Sequence, residues 1–427
     1  MNRAMKDSGI PWIGEIPSNW NVCYIKQVMR NKSIKGYPNE QVLSLYRDYG
    51  VIPKDSRDDN HNVTSEDTSN YKLVEVGDFV INKMKAWQGS MAVSNYQGII
   101  SPAYYICRFV VEDISRQYIH YLLRNDTYKA EYLRLSTGLR VGQWDLNIED
   151  FLHTSMVLPP VPEQQAIADF LDKKCGEIDE LIALQEKIIE ELKAYKQSVI
   201  TEAVTKGLNP DVPMKDSGIE WIGQIPEGWK IQRFKDVLNN PLQYGVGESG
   251  EPYNPSLPRY IRITDIANNS LKEDIQKLSL TEEQAQDCIL EDGDILLARS
   301  GGTVGKAFIF KSSYGRCAYA GYLIRARVVK TCSPWFIFYY TQTYCYEEWK
   351  RQIFIQSTIQ NIAADRYSIM ELPIPPKKEQ EQIASYLDEK CGEIDKLISI
   401  KQSKIDELKE YKKSIIYEYV TGKKDVI

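Results

Sequence analysis

The sequence predicts an α+β protein: two globular domains in a pseudo-twofold arrangement, separated by two long antiparallel coiled-coil α-helices. Three observations predict it. The opening segment Met5-Lys-Asp-Ser-Gly-Ile-Pro-Trp-Ile-Gly-Glu-Ile-Pro17 returns as Met214-Lys-Asp-Ser-Gly-Ile-Glu-Trp-Ile-Gly-Gln-Ile-Pro226, with 11 of 13 positions identical, and Trp20 is echoed by Trp229. A second block, Glu163 to Thr205, returns as Glu379 to Thr421 with 25 of 43 positions identical. Between these blocks the halves diverge almost completely, so ends and connectors are kept while the parts they carry vary. The boundaries that follow are a first domain over 1–158, a connector helix over 159–206, a second domain over 207–372 and a second helix over 373–427.

In the first half, Asp78-Phe-Val-Ile-Asn82 and Ala103-Tyr-Tyr-Ile-Cys-Arg-Phe-Val110 are short apolar runs with strand character. Tyr118-Ile-His-Tyr-Leu-Leu123 spaces its apolar residues at three and four, so it is expected as a helix covering that sheet. The connector opens after Leu158-Pro-Pro-Val-Pro162, where prolines bar a helix from upstream. Within it Ile178, Ile182, Ile189, Leu192, Tyr195 and Val199 form a coiled-coil seam, and Gln185 fills the skipped position as a polar interruption. Gly176 is a mild weak point. About 43 residues at about 1.5 Å each make a rod of roughly 65 Å. The second half repeats the plan. Asp294-Ile-Leu-Leu-Ala298 and Tyr322-Leu-Ile-Arg-Ala-Arg-Val-Val329 are its strands, and Trp335-Phe-Ile-Phe-Tyr-Tyr340 is its helix. After Leu372-Pro-Ile-Pro-Pro376 its seam is Ile394, Ile398, Ile405, Leu408, Tyr411 and Ile415, with Lys401 at the skipped position and Gly392 as the weak point. Matched rods from a duplicated chain pack antiparallel when a pseudo-twofold axis crosses them.

At 427 residues with 43% hydrophobic side chains, the chain suffices for two domains with real cores. No stretch of 18 apolar residues and no secretory signal occurs, so a soluble, cytoplasmic protein without membrane association is expected. Eight cysteines form no C-x-x-C pair and only three histidines are present, which favours packed, reduced thiols over a metal site. The net charge is −6, which weighs against nucleic acid. Its location softens that inference: residues 1–162 carry 18 basic and 18 acidic side chains and residues 207–378 carry 20 of each, so the acidity sits in the helices. A neutral domain can still present one basic face.

Catalytic constellations are lacking. An amino-methyltransferase needs Asn or Asp followed by Pro-Pro and an aromatic, with a Gly-rich cofactor loop, and neither occurs; the Pro-Pro pairs at 159–160 and 375–376 are helix breakers. Ser300-Gly-Gly-Thr-Val-Gly-Lys-Ala307 lacks the glycine spacing and the hydroxyl residue of a phosphate loop. No nucleophile pairs with a nearby histidine, and no carboxylate cluster has metal spacing. The chain is therefore read as a binder, with no catalytic residues, no metal and no cofactor of its own.

The doubled Gly-Ile-x-Trp-Ile-Gly-x-Ile-Pro-x-x-Trp opening and the Pro-Pro then Glu-Gln connector resemble the specificity subunit of type I restriction-modification systems. Gly77-Asp-Phe-Val-Ile-Asn-Lys-Met-Lys-Ala-Trp-Gln-Gly89 and Gly293-Asp-Ile-Leu-Leu-Ala-Arg-Ser-Gly-Gly-Thr-Val-Gly305 are similar to that family's central Gly-Asp motif, so the resemblance spans nearly the whole chain. It implies two target-recognition domains, each reading one half of a gapped asymmetric site in double-stranded DNA, with the helices as a ruler between them. It also implies two docked methyltransferase subunits and optional restriction subunits. S-adenosylmethionine and the flipped adenine would belong to the methyltransferase, and ATP with magnesium to the restriction subunits. Two other readings stay open: the duplicated reader of a related system with a fused methyltransferase-nuclease, and a coiled-coil protein adaptor that never touches DNA.

Candidate DNA-contacting residues lie in the divergent parts. Lys83, Lys85, Trp87 and Gln88 combine charge, an aromatic and an amide after a strand, suited to phosphate anchoring with base-edge contact. Arg140 and Gln143 lie on a Gly-flanked segment, and Gln356, Thr358, Gln360 and Asn361 are its polar counterpart in the second half. Arg299, Thr303 and Lys306 follow the second Gly-Asp strand, where glycines allow close approach to a phosphate. Each of these is equally readable as an ordinary turn. Trp12, Trp20, Trp221 and Trp229 lie in the repeated openings and are expected to anchor each domain to its helix instead.

Overall fold

The computed structural model describes residues 3–47, 49–57, 67–138, 144–267, 269–355 and 361–426. The chain divides into two compact units, each discontinuous in sequence: Met1–Gln185 with Ser403–Ile427, and Glu186–Gln402. Each unit thus contains one variable domain and one end of each long helix.

In the first unit a four-stranded antiparallel sheet runs in the order Met29–Lys32, Tyr104–Phe109, Phe79–Asn82, Met91–Val93. The central strands are the two apolar runs expected from sequence, and Phe79, Val80, Ile81, Ile106 and Cys107 are fully buried. The helix Arg116–Arg124, capped by Ser115, and the helix Asp126–Leu135, capped by Asn125, bury Tyr118, Ile119, Leu122, Tyr128 and Tyr132 in the same core. The Gly-Asp motif is a turn. Gly77 takes φ 89°, a conformation that disfavours any other residue. The Asp78 carboxylate then accepts the Glu75 backbone N–H at 2.7 Å.

The second unit repeats this plan on a different sequence. Its sheet runs Gln243–Tyr244, Leu323–Ala326, Ile295–Ala298, Ala307–Ile309, again antiparallel throughout. Gly293 has φ 83°, and Asp294 accepts the Glu291 N–H at 2.8 Å. Helices Pro334–Tyr340 and Tyr344–Ile355 flank it. This unit also holds a second four-stranded sheet: Glu251–Pro252, Leu278–Ser279, Arg259–Ile261 and Cys317–Tyr319, the last two parallel.

The long helices are Val161–Lys206 and Lys377–Val420. The first begins one residue before Pro162 rather than after it, because a proline in the first turn has no N–H to lose. Their entrances explain the repeated Glu-Gln. In the first unit Glu163 accepts the Trp20 indole N–H at 3.1 Å, and the Gln164 side chain joins Ser115 N to Pro159 O. In the second, Glu379 accepts from Trp229 at 3.1 Å and Gln380 joins Ser333 N to Pro375 O. Trp20 and Trp229, 0% and 1% exposed, are therefore the expected anchors. Trp12 and Trp221 pack partly buried, each with an indole N–H that has no partner among the described residues.

Within each unit the two helix ends run antiparallel. Lys412 pairs with Asp179 at 2.6 Å and Phe170 lies against Tyr419 in the first; Lys196 pairs with Asp395 at 2.7 Å in the second. Asp179 and Asp395, and Lys196 and Lys412, are equivalent positions of the repeat, so one ion pair is used twice. The seam differs from the sequence reading at one step. Tyr195 and Tyr411 are 60% and 57% exposed, and the half-buried Lys196 and Lys412 take their place. The alternation of three- and four-residue steps requires four after Leu192, which leads to Lys196, whose stem packs while its ammonium reaches Asp395.

Candidate nucleic-acid interface

The strand Phe79–Asn82 ends by delivering Lys83 into a 3-10 turn, Lys83–Gln88, started by Asn82, whose side chain accepts the Met84 N–H, and closed by Gly89 at φ 77°. Lys85 and Met84 project outward, while Lys83, Trp87 and Gln88 are half-buried. The Lys83 ammonium lies 4.6 Å from the centroid of the Tyr105 ring on the neighbouring strand. Trp87 is engaged internally: its indole N–H donates to Met84 O at 3.1 Å and its ring meets Trp144 edge-on at 5.4 Å. Gln88 accepts from the Arg47 guanidinium at 2.5 Å. Among the described residues the Lys83 and Lys85 side chains have no hydrogen-bond or ion-pair partner, and Trp87 and Gln88 shape the turn.

In the second unit Ile295–Ala298 delivers Arg299, whose guanidinium lies 4.7 Å from the Tyr244 ring centroid. Arg299 O accepts the Ile362 N–H at 2.8 Å and Ser300 bridges Asn361, so Arg299 and Asn361 are brought together from distant parts of the sequence. Arg299 Nε and Asn361 Oδ1 are both buried with no hydrogen-bond partner among the described residues. Unsatisfied buried polar atoms are uncommon, and here a donor and an acceptor occur on adjoining backbone segments. Thr303 is half-buried in the 3-10 turn Gly301–Thr303, and Lys306 is exposed beyond it. Arg140, Gln143, Gln356, Thr358 and Gln360 lie outside the described residues.

Sequence reasoning missed the aromatic platforms and one hairpin. On the antiparallel pair Leu43–Tyr46 and Gly50–Pro53, the Arg57 guanidinium lies 4.3 Å from the Tyr49 ring and 5.8 Å from Tyr46. The density of Tyr and Arg between 46 and 57 was the available signal. Interleaved cations and rings suit phosphate and base contact.

The titratable groups described in this region are held in unreactive states. Burial and the neighbouring Arg124 pull His120 down to about 3, so it is neutral and accepts the Val93 N–H. Burial pushes Cys107 up to about 12 and Cys23, Cys317 and Cys391 up to about 11, which keeps these thiols protonated and poor ligands. Among the described residues no group of His, Cys, Asp and Glu could hold a metal ion, and no helix is long and apolar enough to cross a membrane.

The family model described as the type I restriction modification DNA specificity domain matches twice, over residues 17–194 and 226–410. The chain belongs to the type I restriction-modification DNA specificity family. As a specificity subunit it is not an enzyme in its own right. Relatives include the putative type I restriction enzyme MjaX specificity subunit of Methanocaldococcus jannaschii, 26% identical over 438 aligned positions covering 96% of this chain and 95% of that one. The type I restriction enzyme EcoKI specificity subunit of Escherichia coli is 24% identical over 278 positions, 64% of this chain and 58% of that one. A chain from a solved type I restriction-modification system, described in terms of complex assembly and conformational transition, shares the fold at TM-score 0.71 and 15% identity, covering 95% and 98% of the two chains.

Proposed function

We propose that each unit of this specificity subunit reads one half of a bipartite, gapped and asymmetric site in double-stranded DNA, and that the subunit thereby positions two methyltransferase subunits for adenine methylation. The observation that carries the reading is the repeated sheet with unlike edges. In both units the Gly-Asp strand ends in a cation on a tyrosine ring, Lys83 on Tyr105 and Arg299 on Tyr244, yet the surrounding residues differ. Equal scaffolds with unequal contact residues imply unequal half-sites; identical readers would require a palindrome.

Two equivalent docking places are supported by exposed apolar residues at matching repeat positions. Leu181, Leu184 and Tyr411 are 46%, 50% and 57% exposed on the first unit; Leu397, Ile400 and Tyr195 are 47%, 62% and 60% exposed on the second. Apolar side chains left in water on a helix pair, in the same pattern twice, fit two copies of one partner. S-adenosylmethionine and the extruded adenine would sit in that partner, and ATP with magnesium in restriction subunits where these join. The continuous helix Val161–Lys206 would set the spacer between half-sites.

Mapping methylated adenines genome-wide in cells that express the partner methyltransferase with and without this chain tests the reading. A gapped asymmetric motif present only with the chain is the expected result. A methylation pattern indifferent to the chain overturns it and favours a protein adaptor.

A further inference from the structure

Lys32 and Lys72 are equally buried, each 8% exposed, and are treated in opposite ways. The Lys32 ammonium meets Asp78 at 2.5 Å and Glu75 at 2.6 Å, so its charge is compensated twice. Lys72 has no carboxylate within ion-pair distance among the described residues. Its ammonium donates to the Tyr104 backbone carbonyl at 2.7 Å and lies 5.6 Å from the Tyr105 ring centroid. A buried charge without a counter-ion is costly to fold around, which makes its retention informative.

The backbone brings further positive charge to the same place. Leu73 N–H donates to Ile34 O at 2.8 Å, which sets the exposed Lys35 beside Lys72. Lys83 N–H donates to Ala103 O at 3.3 Å, which sets Lys83 against the Tyr105 ring shared with Lys72. Burial first, then the charges of Lys83 and Lys35, depress the proton affinity of Lys72. The nearby acid, Asp145, acts on Tyr105. Lys35 reaches the Asn70 side-chain oxygen, and Lys83 has no carboxylate partner among the described residues.

We propose that Lys72, Lys35 and Lys83 form a phosphate site that holds one backbone phosphate of the DNA duplex bound by the first unit. A phosphate supplies the anion that this lysine cluster lacks, and the Tyr105 ring keeps the two ammonium groups oriented toward it. The proposal rests on the DNA-reading function above. It assigns Lys72 to anchoring and not to sequence choice, since phosphates carry no base identity.

The test uses the full chain assembled with its methyltransferase partner, and titrates a duplex carrying its own methylated motif and a scrambled duplex between about 50 and 200 mM salt. Each phosphate contact contributes about 0.9 to the slope of log affinity against log salt. Lys72→Met is expected to lower that slope by about one contact and to weaken both duplexes alike, about 3.5-fold more at the low-salt end than at the high-salt end. Lys72→Arg should keep the slope. Without DNA, Lys72→Met should melt no lower than the parent, because it removes an uncompensated charge. Lys35→Gln, at an exposed position that cannot disturb the fold, should also reduce the slope. An unchanged slope in both Lys72→Met and Lys35→Gln, or a loss confined to the cognate duplex, overturns the site while leaving the DNA-reading function standing. Failure of the parent assembly to bind either duplex in a salt-dependent way overturns that function and the site together.

Discussion

Replacing Gln164 by alanine tests the claim that a single repeated glutamine locks each variable domain to its helix. The side chain is 3% exposed; its Oε1 accepts Ser115 N–H at 3.0 Å and its Nε2 donates to Pro159 O at 2.8 Å. Ser115, 7% exposed, also caps the helix Arg116–Arg124 by accepting Tyr118 N–H, so the loss propagates into that helix start. A buried group left without its partner costs about 1–3 kcal/mol, and two are orphaned, while truncation returns about 1 kcal/mol of rotamer entropy. The expected net loss is about 1–5 kcal/mol. For a unit of this size that is about 2–20 °C in its transition, at about 2–4 °C per kcal/mol. Calorimetry gives the shift, and hydrogen exchange resolved by mass spectrometry gives its place. Protection should fall over residues 115–124 and 155–158 and persist over 333–340, where Gln380 performs the same task on Ser333 and Pro375. A shift under about 0.5 kcal/mol, or equal loss of protection in both units, would refute the lock.

Three further outcomes are expected. His120 is held near 3 in the fold and would titrate near its ordinary value when unfolded, so its contribution is complete above about pH 6.5 and declines as the pH falls toward 3. At about 1.4 kcal/mol per pH unit the first unit should lose about 2 kcal/mol by pH 5, and His120→Gln should flatten that dependence in urea titrations at several pH values. Inserting four residues after Leu184 and after its repeat equivalent Ile400 adds about 6 Å of helix and should lengthen the spacer of the methylated motif by about two base pairs with both half-sites kept; an unaltered spacer rejects the ruler. A fragment ending at Lys206 should dimerise, each copy placing its own Val199, Ala203 and Val204 where Ile415, Tyr419 and Val420 lie in the first unit, and ultracentrifugation showing a monomer would count against that exchange.

Much of the scaffold was legible because its signals are local. The strands at 79–82 and 295–298 were bounded by glycine and aspartate, and the helix at 118–123 showed its period directly. The seam was misread at Tyr195 because an aromatic is a more obvious seam residue than a lysine, and only the partner helix reveals that Lys196 has Asp395 to reach. The site was less legible for the opposite reason. Lys83 and Arg299 could be singled out from composition, but Tyr105 and Tyr244 reach them from other strands, and nothing local marks either ring as a platform. Lys72 was invisible in sequence, since its meaning lies in the carboxylates that are not beside it.

The discontinuity of the first unit has a consequence for biosynthesis. Tyr118, fully buried, donates its hydroxyl to Val420 O at 3.0 Å, and Gly422 packs so closely on Pro17 and Trp20 that a β-carbon there would collide with the proline ring. Those partners leave the ribosome after the whole of the second domain. During translation the first domain must wait, with the surface meant for residues 403–426 open to water, while roughly 10–55 s of synthesis pass at about 5–20 residues per second. The repeat-equivalent helix end 186–206, made before the true partner, carries the same apolar pattern, so the duplication that builds the molecule also supplies the nearest wrong partner for this face.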